Sequence, residues 1–212
     1  MSDGKSILVD TTRCTGCRGC QVACKQWNNL PGTETKQTGS YQNPPDASFE
    51  TYKVVRFNEG RKEDGKPYWH FFSDMCRHCV NPPCVAAGDE IIHDDATGAV
   101  VYPKGNAKID FDTALGVCPY NIPRKSEKSA EVSKCTMCLD RQQGGAKPAC
   151  VLSCPTAMEF GERDEILKEV ERRVAELKKN NPKAHAIDAD DVRVIFIVED
   201  DPKTYYEHAA AG

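Results

Sequence analysis

The chain has 212 residues, of which 39% are hydrophobic and 28% charged, the make-up of a globular protein with a modest core. Against 28 Lys and Arg stand 32 Asp and Glu, a formal net charge of -4, so the basic excess expected of a nucleic-acid binder is missing. The longest clean apolar run, Val194 to Val198, falls far short of the roughly 20 residues that span a bilayer, so no membrane span is expected. What stands out is 12 cysteines, bunched rather than spread, and bunching points to metal more than to a disulfide framework.

In chain order, Ser6 to Asp10 reads as a short strand. Its apolar stretch Ile7 to Val9 is too short for a signal-peptide core of about 7–15 residues, so no export leader is expected in the chain itself. The first cysteine group follows as Cys14-Thr-Gly-Cys17-Arg-Gly-Cys20-Gln-Val-Ala-Cys24. Its spacing C-x2-C-x2-C-x3-C is the bacterial ferredoxin run without its final Pro, and the fourth Cys of such a run ligates the neighbouring cluster. Gly16 and Gly19 would keep side chains off a cluster and present backbone N–H groups to its sulfurs. Gly32 to Asp46, rich in Gly, Thr, Gln, Asn and Pro, reads as a surface excursion. Phe49 to Phe57 and Tyr68 to Phe72 read as a hairpin around the polar segment 58–67.

The second group is Cys76-Arg-His-Cys79-Val-Asn-Pro-Pro-Cys84, three ligands with no fourth nearby. A second hairpin is expected from Ile91-Ile-His93 and Ala99 to Tyr102, with Asp94 to Gly98 as its turn. Cys118 then stands alone. The third group is Cys135-Thr-Met-Cys138, then Cys150-Val-Leu-Ser-Cys154-Pro155, the ferredoxin run with a loop inserted before its third ligand. Pro119 and Pro155 follow ligands at positions read as helix starts, where a missing N–H costs nothing. In the tail, Ile166, Leu167, Val170, Val174 and Leu177 fall near helical spacing, with Asp164 as a cap and Asn180-Asn181-Pro182 as a stop. Asp191 to Val198 reads as a strand. Helix and strand together are expected to cover the cluster-binding part, with a role in a subunit interface as the alternative.

The cysteines close under the exchange rule. Cys14, Cys17 and Cys20 take Cys154 as fourth ligand; Cys135, Cys138 and Cys150 take Cys24; Cys76, Cys79 and Cys84 take Cys118. Every cysteine is used once, giving three four-cysteine sites for [4Fe-4S] clusters. Six disulfides or three four-thiolate zinc sites would use the same number, but C-x2-C pairs close poorly on themselves, and three Cys in tight succession suit one tetrahedral ion poorly. His78, between two ligands, reads as a hydrogen-bonding or solvent-facing ring rather than a ligand. His70, His93, His185 and His208 form no metal or catalytic pattern. Arg18, Lys25, Arg77, Arg124 and Lys134 lie near ligands, where positive charge raises a cluster's potential; singly, each reads as a solvated surface charge. No P-loop, G-x-S-x-G or G-x-G-x-x-G is present, so nucleotide or flavin binding and hydrolysis have no support.

The stretches Cys14 to Cys24, Cys76 to Cys84, Cys118-Pro-Tyr-Asn-Ile-Pro-Arg124 and Cys135 to Pro155 resemble the ferredoxin-type electron-transfer subunits of molybdenum and tungsten bis-pterin oxidoreductases. That family includes partners of formate dehydrogenases, dimethyl sulfoxide reductase and polysulfide reductase. Members usually carry four runs and 16 cysteines. Here the ligand set of one cluster is replaced whole, by Gly88, Lys108, Phe111 and Ala114. A short three-cluster chain of this kind looks most like the small subunit of soluble formate dehydrogenases of sulfate-reducing bacteria.

The resemblance implies an α+β fold of two nested ferredoxin-like cluster-binding lobes with small β-hairpins, plus a C-terminal helix and strand. Residues 1–30 with 130–160 would hold two clusters, an inserted lobe 31–129 one, and 161–212 would form the extension. Side chains such as Phe111 would fill the deleted site. The chain would not be catalytic alone. It would relay electrons between a large subunit with a tungsten or molybdenum bis-pterin cofactor, oxidising formate, and an external carrier. The same relay serving a sulfur-compound or sulfoxide reductase is the alternative; a zinc-stapled scaffold without redox function is the reading from a different class. An oxidised four-thiolate cubane carries roughly -2, so three deepen the negative charge and favour a basic carrier such as a cytochrome c. The expected place is the periplasm, reached with a partner bearing a twin-arginine signal, with the cytoplasm as the alternative.

Overall fold

The computed structural model describes residues 3–62 and 64–211. Strand β1 (Lys5–Asp10) leads through a single 3-10 turn, Thr11–Arg13, to the first cysteine loop and helix α1 (Gly19–Trp27). The excursion that follows carries no helix or strand, and 31–41 is exposed throughout. Strands β2 (Val54–Arg61) and β3 (Pro67–Asp74) pair antiparallel from Val54↔Asp74 to Arg61↔Pro67. The expected hairpin is therefore present but shifted: its strands run out along the polar residues Asn58–Arg61, while Phe49–Lys53 forms no strand. Backbone pairing across the ladder outweighs the low strand propensity of Asn58, Glu59 and Gly60. Glu63, inside the expected turn, lies outside the described residues.

The second hairpin pairs β4 (Ile92–His93) with β5 (Val100–Val101), as its turn residues suggested. Helix α2 (Phe111–Gly116) is capped by the Asp110 carboxylate on the Asp112 N–H. A two-residue ribbon, β6 (Arg124–Lys125) with β7 (Val132–Ser133), leads to the short helices α3 (Leu139–Gln143) and α4 (Ala149–Leu152). Turns, not helices, follow Pro119 and Pro155, which corrects that expectation. Strand β8 (Met158–Glu162) runs into helix α5 (Arg163–Lys178). Glu162, not Asp164, is the residue before the first turn, and Asp164 and Glu165 lie inside it, where carboxylates favour the helix dipole. The chain closes with β9 (His185–Ile187) and β10 (Val194–Val198).

The central sheet has the order β8-β1-β10-β9. β1 pairs antiparallel with β8 and parallel with β10, Ile7 opposite Val194 and Val9 opposite Phe196. The tail strand is thus an inner strand of the sheet and not a cover laid over it. Both faces of the sheet are buried, which explains why β10 reads as an unbroken apolar run. Ile7, Val9, Val194, Phe196 and Val198 join one core with Phe72, Met75 and the cysteines 20, 135 and 150. Leu8, Ile195 and Ile197 face the other, where Ile166 and Val170 of α5 meet Tyr120, Ile122 and Val192, with Cys76, Cys79 and Cys118 packed at the edge. Helix α5 does cover the cysteine region, on the face its apolar spacing indicated.

Candidate functional site

The opening C-x2-C bends of the three groups share one backbone device. The residue before the second Cys takes a left-handed conformation in each: Gly16 at φ 65°, His78 at 47° and Met137 at 54°. This bend turns that residue's N–H back onto the first sulfur. The His78 N–H lies 3.4 Å from Cys76 Sγ and the Met137 N–H 3.3 Å from Cys135 Sγ, and Gly16 donates to Cys14 in the same way. Gly16 is also closely packed, since a Cβ would sit 3.1 Å from the Phe71 ring. A Cβ on Gly19 would meet ordinary van der Waals contacts, so the first of the two glycines is the more tightly confined.

Distant loops bring the cysteines together. Cys14, Cys17, Cys20 and Cys154 line one cavity. Cys76, Cys79, Cys84 and Cys118 line a second. The remaining four sulfurs are electrostatic neighbours: Cys135 faces Cys24, Cys150 and Cys138, and Cys24 faces Cys150 and Cys138. Helices α1 and α4 make the exchange. Cys20 and Cys24, four residues apart on α1, serve different sets, and so do Cys150 in α4 and Cys154 just beyond it.

These sulfurs are in dry surroundings. Burial, with the repulsion of neighbouring sulfurs, pushes the thiols of Cys24 and Cys79 up to about 12 and that of Cys138 to about 11, and holds Cys135 well above its usual value. Without a cation such groups stay protonated, so holding four of them as thiolates in this interior takes a positive centre among them, as iron would supply. Among the described residues no three His, Cys, Asp or Glu lie together as a single-ion site. All twelve cysteines are free thiols, so the six-disulfide reading is set aside.

The sets adjoin one another. Cys20 of the first is an electrostatic neighbour of Cys24 and Cys150 of the second, and Cys135 of the second is one of Cys76 of the third. Cys17, at the first set, is the one exposed cysteine. Beyond the third set, three of the four substituted positions meet in an apolar cluster, while the Lys108 side chain is exposed. A Cβ on Gly88 would lie 3.5 Å from the Lys108 carbonyl, and Ala114 and Phe111 pack with Ala87, Tyr102, Ile109 and Val132.

The charged neighbours sort by burial. Arg18 lies over the Phe57 ring, Lys25 donates to the Glu50 carbonyl at 2.8 Å, and Arg124 pairs with Asp46 at 2.9 Å. Arg77 and Lys134 are buried, against the expectation of solvated charges. Arg77 is held by Asp74 at 3.1 Å and by the rings of Phe72, Tyr120 and Phe196. Lys134 donates to the Val100 carbonyl and lies near Cys84, whose thiol burial pushes up and the ammonium partly draws back. His78 is fully buried, and its Nδ1 accepts the Val100 N–H at 3.0 Å, so the ring is a structural acceptor and does not face solvent. Sequence reasoning missed one residue: Lys53, also fully buried, whose ammonium faces sulfurs of two sets. Its only outward mark is a lone charge between Tyr52 and Val54-Val55.

Comparison with known proteins agrees with this geometry. Two family models described as 4Fe-4S dicluster domain match, at residues 13–87 and 67–163. The chain is 51% identical to the formate dehydrogenase subunit beta of Megalodesulfovibrio gigas, over 98% of this chain and 99% of that one. It is 49% identical to the formate dehydrogenase 2 subunit beta (cytochrome c-553) of Nitratidesulfovibrio vulgaris, over 97% and 98%. It is 38% identical to the nitrate-inducible formate dehydrogenase iron-sulfur subunit of Escherichia coli, over 81% of this chain and 58% of the relative. Those iron–sulfur matches leave the zinc scaffold without support. Cysteine sets that gather from distant loops, dicluster matches along most of the sequence and near full-length likeness lead to one conclusion: this protein belongs to the iron–sulfur beta subunits of formate dehydrogenases, electron-transfer subunits built on [4Fe-4S] clusters.

Proposed function

We propose that this chain holds three [4Fe-4S] clusters as a linear relay beside a formate-oxidising catalytic subunit. Cys14, Cys17, Cys20 and Cys154 would hold the first, Cys24, Cys135, Cys138 and Cys150 the second, and Cys76, Cys79, Cys84 and Cys118 the third. Each cluster supplies one-electron storage. The observation that carries this reading is the adjacency of the three cysteine sets, joined through Cys20 to Cys150 and Cys135 to Cys76. The protein's own part is to fix the spacing of the sets, exclude water from them, and aim backbone N–H groups at their sulfurs. In this reading 1–30 with 130–160 forms one lobe and 31–129 the other, and 161–212 ties both to the central sheet.

Two electrons per formate and one per cluster make a multi-stop relay useful. A catalytic partner is favoured by the relatives' names, which place each of them in a formate dehydrogenase, and the tungsten or molybdenum bis-pterin cofactor on that partner is what the family resemblance implies. Purified heterodimer should reduce viologen with formate and carry about twelve iron atoms per beta subunit. Turnover with a sulfoxide or polysulfide but none with formate would replace this reading by the other relay, favoured by 30% identity to a subunit of the anaerobic dimethyl sulfoxide reductase of Escherichia coli. The formal charge of -4, deepened by the clusters, favours a basic carrier, and one relative's name carries cytochrome c-553. Electron transfer to a cytochrome c should slow as ionic strength rises; a flat salt profile excludes the steering. The periplasm, entered with a leader-bearing partner, fits that carrier, and fractionation of cells tests it.

A further inference from the structure

Lys53 ends the loop before β2 and is 1% exposed. Its ammonium has three N–H donors. Its partners are the Ser73 carbonyl at 3.2 Å and the Met75 thioether sulfur at 2.9 Å. Among the described residues no carboxylate pairs with it. An unpaired ammonium in a dry interior is strongly unfavourable unless negative charge is close. Cysteine sulfurs are the groups that can carry that charge: Cys20, Cys150, Cys135 and Cys24 all lie within electrostatic reach of it, and so does Cys14. Cys14 and Cys20 belong to the first set, and Cys24, Cys135 and Cys150 to the second. The hairpin base strengthens the junction, since the Ser73 hydroxyl lies 3.3 Å from Cys20 Sγ.

We propose that Lys53 is a positioning residue for electrons, a fixed positive charge shared by the first two sets that raises the reduction potential of both clusters and leaves the third little changed. This rests on the three-cluster reading. A fixed charge between two acceptors favours the added electron on either one, so it lowers the cost of holding an electron at the junction without trapping it on one side. Lys134, near Cys84, belongs to the third set and cannot substitute for it.

The test is a spectroscopically monitored redox titration of the heterodimer, with iron analysis, for wild type, Lys53→Met and Lys53→Arg. In iron-replete Lys53→Met, two of three one-electron transitions should move to lower potential by about tenfold in equilibrium constant, which is 59 mV per transition, and the third should stay. Lys53→Arg, which keeps the charge, should stay close to wild type. Unmoved transitions in Lys53→Met, or all three moving together, overturn the proposal. If Lys53→Met loses iron, Lys53→Arg decides: iron retained supports the charge, and equal loss in both shows that only the shape of the lysine matters. Wild-type protein without about twelve irons per beta subunit would instead overturn the three-cluster reading itself.

Discussion

Gly98 shows how far one missing methyl group can matter. It sits at φ 72° in the turn between β4 and β5, and a Cβ there would overlap the stem of Arg193. Arg193 is buried and donates to the Asp3 carbonyl, so it cannot move aside freely. Gly98→Ala should cost about 1–3 kcal/mol from overpacking, plus the left-handed backbone penalty of roughly 1–2 kcal/mol. Gly105, at φ 78° with open space around it, would incur only the backbone part. Thermal unfolding of Gly98→Ala and Gly105→Ala checks this, and equal shifts would refute the steric account. The turn was legible in Asp94 to Gly98. The need for glycine at its last position was not, because the clash comes from a residue 95 positions away.

Helix α5 carries two neighbouring arginines that the sequence does not distinguish. Arg172 pairs with Glu169 and Glu176 on an exposed face, with 60% of its side chain open to solvent. Arg173 reaches Asp10 at 2.7 Å at the end of β1, where that carboxylate is buried and also accepts the Thr12 N–H. Arg173→Met should destabilise by ~1.5–3 kcal/mol, the range for hydrogen bonds to charged groups. Arg172→Met should leave stability essentially unchanged, because exposed pairs contribute little. Urea unfolding of the two variants decides it. The helix itself was readable from its apolar spacing, since Ile166 and Val170 are buried where period and face predict. Which arginine matters depends on the strand packed beside it.

At the scale of the whole molecule, charge ties the excursion loop to the hairpin and the third cysteine set. Asp46 meets Arg56 at 2.6 Å and Arg124 at 2.9 Å, Arg56 meets Asp74 at 2.7 Å, and Asp74 holds Arg77. Burial alone would raise the Asp46 carboxyl, but the hydrogen bond and charge of Arg56, with Arg124, bring it below its usual 3.8. A depressed folded-state value means stability is present above the unfolded value and fades as pH falls below it. The stability gap between wild type and Asp46→Asn should therefore be open at pH 5 and shrink toward pH 3; a gap independent of pH would remove Asp46 from the account. Iron removal should act on the same scale. Cys20, Cys135 and Cys150 share one core with Ile7, Phe72 and Phe196, so stripping iron leaves voids and buried thiols at the centre. Near-UV circular dichroism should collapse on anaerobic chelation, and protease sensitivity should rise.

Read alone, the sequence determined what is local: the cysteine runs, whose spacing around one bend is a property of a few residues, the glycine-rich hairpin turns, and the apolar stripe of α5. Counting alone sorted twelve cysteines into three sets of four, because counting needs no coordinates. Tertiary structure decided what depends on residues far apart in the chain. It made β10 an inner partner of β1, across more than 180 residues, where the sequence showed only an apolar run. It brought the three cysteine sets side by side and packed Phe111 and Ala114 into an apolar cluster beside Gly88. It buried Lys53 between two groups of sulfurs. A lysine's identity fixes its charge, but its burial and the charges it meets are set by every segment folded around it.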